Sequence, residues 1–117
     1  MAKYEKLTQY IKDFENSVPG QLRFSDALND FIVDIHNAWE ELNMNDYIEF
    51  LNTHGIEWGY HSMVEAEATS LPDEVVITLL LAAVRADRIN EGILLRFIEE
   101  GHIVRWLKIL LERDQSH

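Results

Sequence analysis

An apolar stretch in the last third of the sequence limits the fold more than any other feature. From Val75 to Val84 every residue is apolar except Thr78, so a helix here would be apolar on nearly all faces and would have to lie at the centre of the core. The stretch has about half of the ~20 residues that a membrane-spanning helix needs. We therefore expect a fold built around this helix, with no membrane partner.

The residues before this stretch are typical of a helix start. Ser70 can act as the cap, Pro72 suits a first helical turn, and Asp73 and Glu74 face the positive end of the helix. The start of the central helix is therefore predicted near Ser70.

Elsewhere, apolar residues recur at helical spacing. The first stripe is Tyr4, Leu7, Tyr10, Ile11 and Phe14, and Ser17–Gly20 would end its helix. The second stripe follows a cap at Ser25 or Asp26 and comprises Leu28, Phe31, Ile32, Ile35, Trp39 and Leu42. A third helix, from Asn45 or Asp46 to Gly55, would bury Tyr47, Phe50 and Leu51. A fourth stripe, in a helix capped by Asn90 and ended by Gly101, comprises Ile93, Leu94, Phe97 and Ile98. The helix after Gly101 has the last stripe, which comprises Ile103, Trp106, Leu107, Leu110 and Leu111.

Extended structure is predicted at two short places only. Ile56–Tyr60 alternates apolar with polar or glycine residues, and Leu22–Phe24 could pair with it. After Ile56–Tyr60, Ser62 and Glu65 have the spacing of a capping box, which makes Ser62 a candidate helix cap. We therefore expect one mainly α domain over residues 1–117, a compact orthogonal arrangement of five or six helices with at most one short strand pair.

Familiar catalytic motifs are missing from the sequence. There is no cysteine, which excludes disulfides, thiolate nucleophiles and cysteine-based metal sites. There is also no Walker loop, no Gly-x-Gly-x-x-Gly and no Gly-x-Ser-x-Gly elbow. We therefore predict no catalytic residue and no cofactor. A cytoplasmic location is the default expectation, because Met1–Lys12 lacks the apolar core of a signal peptide and the longest apolar stretch is too short for a membrane span.

Acidic residues dominate the middle of the sequence. The formal net charge is −11, and no Lys or Arg occurs from Phe24 to Val84. Since nucleic-acid affinity depends on cationic contacts with phosphates, direct nucleic-acid binding is not expected. Asp26, Asp30 and Asp34 recur at steps of four with Glu41 one heptad beyond Asp34, which is either a solvated helix face or a docking surface for a basic protein.

Two histidines and a glutamate near the middle of the sequence are the candidates for a metal site. His54, Glu57 and His61 have the most metal-like spacing present, but Gly55 and Gly59 would interrupt a helix that aimed both histidines one way. Loop histidines packed beside aromatic residues are the favoured alternative.

A structural joint is expected where the central helix ends. Arg85 and Arg88 could bond the terminal carbonyls of that helix and pair with Asp87 or Glu91, with Gly92 at the turn. This interpretation is favoured over an anion site because the rest of the molecule repels anions.

The same segment resembles a known family. Several parts of the sequence are similar to a family of small bacterial and phage domains called domain of unknown function 6508. They are Val84–Gly92, Phe97–Gly101 and Trp106–Leu110, together with the opening Lys3–Leu7, Tyr10 and Phe14. The resemblance implies a mainly helical fold and a bacterial or phage origin. It implies no activity, cofactor or catalytic residue.

These observations favour a small interaction or regulatory domain that binds a basic protein through Asp26, Asp30, Asp34 and Glu41. One alternative is a small metal-dependent enzyme that uses His54, Glu57 and His61. Another is a phage-borne inhibitor that mimics the charge of nucleic acid. A homodimer through exposed Trp or Leu side chains is compatible with each of these.

Overall fold

Helices form the regular structure of the computed structural model, which describes residues 3–16, 26–43 and 46–115. In chain order they are α1 (Glu5–Thr8), α2 (Ile11–Asn16), α3 (Asp26–Glu41), α4 (Tyr47–Thr53), α5 (Tyr60–Glu65), α6 (Asp73–Ala86), α7 (Ile93–Glu99) and α8 (His102–Gln115), with a 3-10 turn at Ala68–Ser70. These ranges contain no strand, so the mainly α fold class is confirmed, and Ile56–Tyr60 does not form the strand that its alternation predicts.

Helix α6 lies at the centre of the molecule, as its composition predicts. All of its residues from Val75 to Val84 are buried, and α3, α4, α7 and α8 all pack against it. The hydroxyl of Thr78, the polar residue in this stretch, donates to the backbone carbonyl of Glu74 at 2.6 Å. The helix itself therefore satisfies this buried polar group. The Cα radius of gyration is 13.3 Å, which is near the ~13 Å of compact domains of similar length.

The start of α6 differs from the prediction. Pro72, with extended backbone angles, occupies the N-cap position, and no side chain caps the helix. Ser70 belongs to the preceding 3-10 turn, where its hydroxyl donates to the carbonyl of Glu67 at 2.8 Å. The predicted cap at Ser70 is therefore wrong, because that side chain bonds within its own turn.

The amino-terminal stripe is buried as predicted, but its helix is divided. Helices α1 and α2 are separated by a turn at Gln9 and Tyr10, and all five predicted stripe residues are buried in the core. Both short helices pack on α8. The carboxylate of Asp114 in α8 accepts hydrogen bonds from the amides of Lys3 at 3.0 Å and Tyr4 at 2.9 Å. These hydrogen bonds therefore join the segment before α1 to the last turn of α8.

In the middle of the chain, one cap is confirmed and one is wrong. The Asp46 carboxylate accepts from the amides of Ile48 and Glu49, as an N-cap should, and Gly55 follows α4 with a positive φ of 77°. Ser62 caps nothing, because α5 begins at Tyr60 and the Ser62 hydroxyl instead accepts from the amide of Glu57 at 2.8 Å. The predictions at Ser17–Gly20, Leu22–Phe24 and Ser25 lie outside the described residues.

The connection from α6 to α7 is held by an aspartate. One carboxylate oxygen of Asp87 accepts from the amides of Gly92 at 2.9 Å and Leu94 at 3.2 Å. Gly92 has a φ of 93°, a left-handed conformation that glycine adopts at little cost. The predicted cap at Asn90 is wrong, since Asn90 contributes its backbone carbonyl to Ile93 while Asp87 provides the capping carboxylate.

Candidate functional site

The outer face of α3 is both acidic and partly apolar. Asp26 and Asp30 are exposed, and no ion pair within residues 3–16, 26–43 and 46–115 includes either of them. Val33, three residues beyond Asp30 and so on the same face, leaves 57% of its surface exposed. The second stripe did not include Val33, so its exposure is consistent with the predicted core face. The apolar stripe alone does not predict that an exposed apolar residue lies beside these carboxylates.

Asp34 is less accessible than the other members of the predicted acidic row. Its side chain is half-buried, and one carboxylate oxygen accepts a hydrogen bond from the Tyr10 hydroxyl at 2.5 Å. Burial and this hydrogen bond raise the pKa of Tyr10 well above its usual range, so the phenol remains a donor at neutral pH. Asp34 therefore joins the acidic face of α3 to the amino-terminal segment.

Beside Asp34 and Glu41 is a cavity of about 120 Å³ between α1, α3 and α6. Its apolar lining includes Leu7, Leu42 and Ile77. Its charged lining residues are Lys3, Lys6, Asp34, Glu41 and Glu74. The cavity therefore combines an apolar surface with charges of both signs, and two of its carboxylates belong to the row predicted from the sequence.

The predicted metal candidates do not form a metal-binding group. Nδ1 of His54 lies 3.1 Å from the carbonyl oxygen of Phe50 and 3.2 Å from the Thr53 hydroxyl, while the His61 ring contacts Tyr60. No three His, Asp or Glu side chains in the described part of the chain are placed to hold a metal ion. The structure therefore does not bring the side chains of His54, Glu57 and His61 together around one point. The two histidines pack beside aromatic rings.

The predicted joint residues have different contacts from those expected. Arg85 is half-buried with its guanidinium carbon 5.8 Å from the Tyr47 ring centroid, and Arg88 is exposed. Among the residues that the structure describes, neither arginine forms an ion pair with Asp87 or Glu91. The physical reason is that Asp87 is committed to the amides at the start of α7. Gly92 does lie at the turn, as predicted.

A second polar cluster lies between α5 and α7, and the sequence did not suggest it. The Tyr60 hydroxyl donates to Glu100, and Nε of Arg96 donates to the same carboxylate oxygen at 2.9 Å. The Arg96 guanidinium also lies 4.0 Å from the Tyr60 ring centroid. Tyr60 and Glu100 are 40 residues apart, so no local spacing could have revealed this cluster. Its charges are paired with each other, which leaves the α3 face as the candidate site.

Within the described ranges no helix is long and apolar enough to cross a membrane. No curated protein and no solved structure that was compared with the chain matches it. The sequence model of a family of unknown function, DUF6508, matches residues 4–115. This range includes every helix from α1 to α8, so the resemblance noted at both ends extends through the middle of the sequence. The chain therefore belongs to the DUF6508 family.

Proposed function

We propose that this protein is a small interaction or regulatory domain that binds a basic segment of a partner protein on the outer face of α3. The observation that best supports the proposal is the exposed Val33 on the same helical face as Asp26 and Asp30, whose carboxylates have no ion-pair partner among the described residues. An apolar contact surrounded by charges is a common design of protein interfaces.

The cavity beside α3 gives the partner a place for an anchoring side chain. A lysine or arginine has a long aliphatic stem and a cationic head. The stem fits the lining of Leu7, Leu42 and Ile77, while the head would meet Asp34 and Glu41. Lys3 and Lys6 also line the cavity and favour carboxylates of the partner at its edge.

A synthetic amphipathic peptide of lysine and leucine tests the proposal by fluorescence anisotropy. We expect D26N/D30N to weaken its binding about tenfold, which corresponds to about 1.4 kcal/mol. V33S should weaken it too, and binding should fall as salt is added, since exposed charges are screened.

The matched control is E65Q/E99Q, which removes two exposed carboxylates from other helices. It changes the net charge by the same amount. If it weakened peptide binding as much as D26N/D30N does, only general attraction to an acidic protein would remain. In that case the α3 face would not be the site.

A further inference from the structure

Two arginines lie on the same side of the chain where α6 ends. Arg85 is in the last turn of α6, and the amide of Arg88 donates to the carbonyl of Arg85 at 3.2 Å. Residues three apart in such a turn are neighbours on one side. Burial raises the pKa of Tyr47, and the charges of Arg85 and Arg88 both oppose that increase. The Arg85 guanidinium carbon lies 5.8 Å from the centroid of the Tyr47 ring.

These two arginines lack the acceptors that the other described arginines have. Arg96 bonds Glu100, Arg113 bonds Asp73, and Arg105 bonds the carbonyl of Val64. Neither Arg85 nor Arg88 forms an ion pair or a side-chain hydrogen bond within residues 3–16, 26–43 and 46–115. Both arginines therefore carry a positive charge that is not in an ion pair with any described carboxylate, in a protein of net charge −11.

Arg85 is also partly removed from water. Its Nε atom is buried and has no hydrogen-bond partner, and a buried donor left unsatisfied destabilises the folded state. The two terminal nitrogens of Arg85 are not among the buried unpartnered atoms, so they reach the surface. A negative charge at these nitrogens would compensate the charge of the partly desolvated guanidinium.

We propose that Arg85 and Arg88, with Tyr47 as a supporting surface, bind the oxyanion of a ligand, a phosphate or a carboxylate group. A planar guanidinium donates two parallel hydrogen bonds to either group. The contact with the Tyr47 ring restricts the orientation of Arg85 before the ligand arrives. Ile89, with 76% of its surface exposed, follows Arg88 directly and offers an apolar contact for the rest of the ligand.

Two cationic side chains favour a doubly charged group over a singly charged one. A phosphate group carries more than one negative charge at neutral pH, whereas a carboxylate carries one. At equal ionic strength we therefore expect tighter binding of phosphate than of acetate. Tighter binding of acetate than of phosphate would identify the site as one for carboxylates.

An NMR titration with inorganic phosphate and with acetate, at constant ionic strength, tests this site. We expect the Nε–Hε signals of Arg85 and Arg88 to shift, and R85Q and R88Q each to weaken binding about tenfold. R85K keeps the charge but loses the planar donor pair, so it should also weaken phosphate binding. Thermal unfolding without phosphate should change little in R88Q, because Arg88 is exposed.

The matched control is R96Q, which removes one exposed positive charge elsewhere. If R96Q weakened binding as much as R88Q, or if phosphate moved neither arginine signal, the proposed site would be wrong. The variant D26N/D30N should bind phosphate like the wild type. The outcome here is therefore independent of whether α3 binds a basic partner.

Discussion

A single carboxylate, that of Asp73, joins three distant parts of the chain. It accepts hydrogen bonds from the Tyr4 hydroxyl and from Nη1 of Arg113, both at 2.6 Å. Arg113 also donates to the carbonyl of Thr69 at 3.2 Å. Asp73 therefore links the amino-terminal segment and α8 to the first turn of the central helix.

We expect D73N to lower the free energy of unfolding by about 1–3 kcal/mol, because it removes charge-assisted hydrogen bonds in a partly buried place. Urea unfolding at neutral pH measures this change. E99Q is the control, since Glu99 is exposed and a surface change should stay within about 0.5 kcal/mol. An equal loss in both variants would contradict the role of Asp73.

The same residue gives the protein part of its acid sensitivity. Burial by itself raises the pKa of Asp73, but the hydrogen bonds from Tyr4 and Arg113 and the charges of Arg113 and Lys3 outweigh it, so the pKa is lowered. A lowered pKa in the folded state stabilises the protein above the ordinary value of about 3.9 and loses this effect as pH falls through the folded value. Below about pH 4 the stability of D73N should therefore approach that of the wild type.

At the scale of elements, the start of α7 depends on Asp87 rather than on Asn90. D87A leaves the amides of Gly92 and Leu94 without their acceptor, and we expect a loss of about 0.5–2 kcal/mol, as for other helix caps. Hydrogen exchange at these two amides should accelerate more than exchange in α6. N90A is the matched control, because only the backbone of Asn90 forms a hydrogen bond here, and equal effects of both variants would contradict this assignment.

The helices were predictable because their stripes are local patterns. The burial of Val75–Val84 and of the Tyr4 stripe follows from residues three or four apart in the sequence. The caps were less predictable, since Ser70, Ser62 and Asn90 all have suitable side chains, and only tertiary packing decides which ones are used.

The candidate site could be predicted only in part, because its contacts join remote residues. Spacing placed Asp26, Asp30 and Asp34 on one face of α3, but the bond from Tyr10 to Asp34 spans 24 residues. The position of Arg85 beside Tyr47 likewise depends on how α4 packs against α6. No local pattern encodes such distances.

At the scale of the whole molecule, acidic residues outnumber basic residues. A net charge of −11 makes the folded state repel itself, and salt screens this repulsion over a Debye length of about 10 Å at 0.1 M. We therefore expect the melting temperature to rise when sodium chloride is added at neutral pH, as measured by circular dichroism. A fall would mean that attractive pairs such as Arg113–Asp73 outweigh the repulsion.

The bond between Asp114 and the amides of Lys3 and Tyr4 also affects folding during synthesis. The segment from Lys3 to α2 is synthesised before α8, so it can reach its final place only after α8 has left the exit tunnel. Until then, the apolar side of α1 and α2 is uncovered on the nascent chain, where it is open to chaperones and to aggregation. A pause in translation before α8 would therefore leave α1 and α2 without the helix on which they pack.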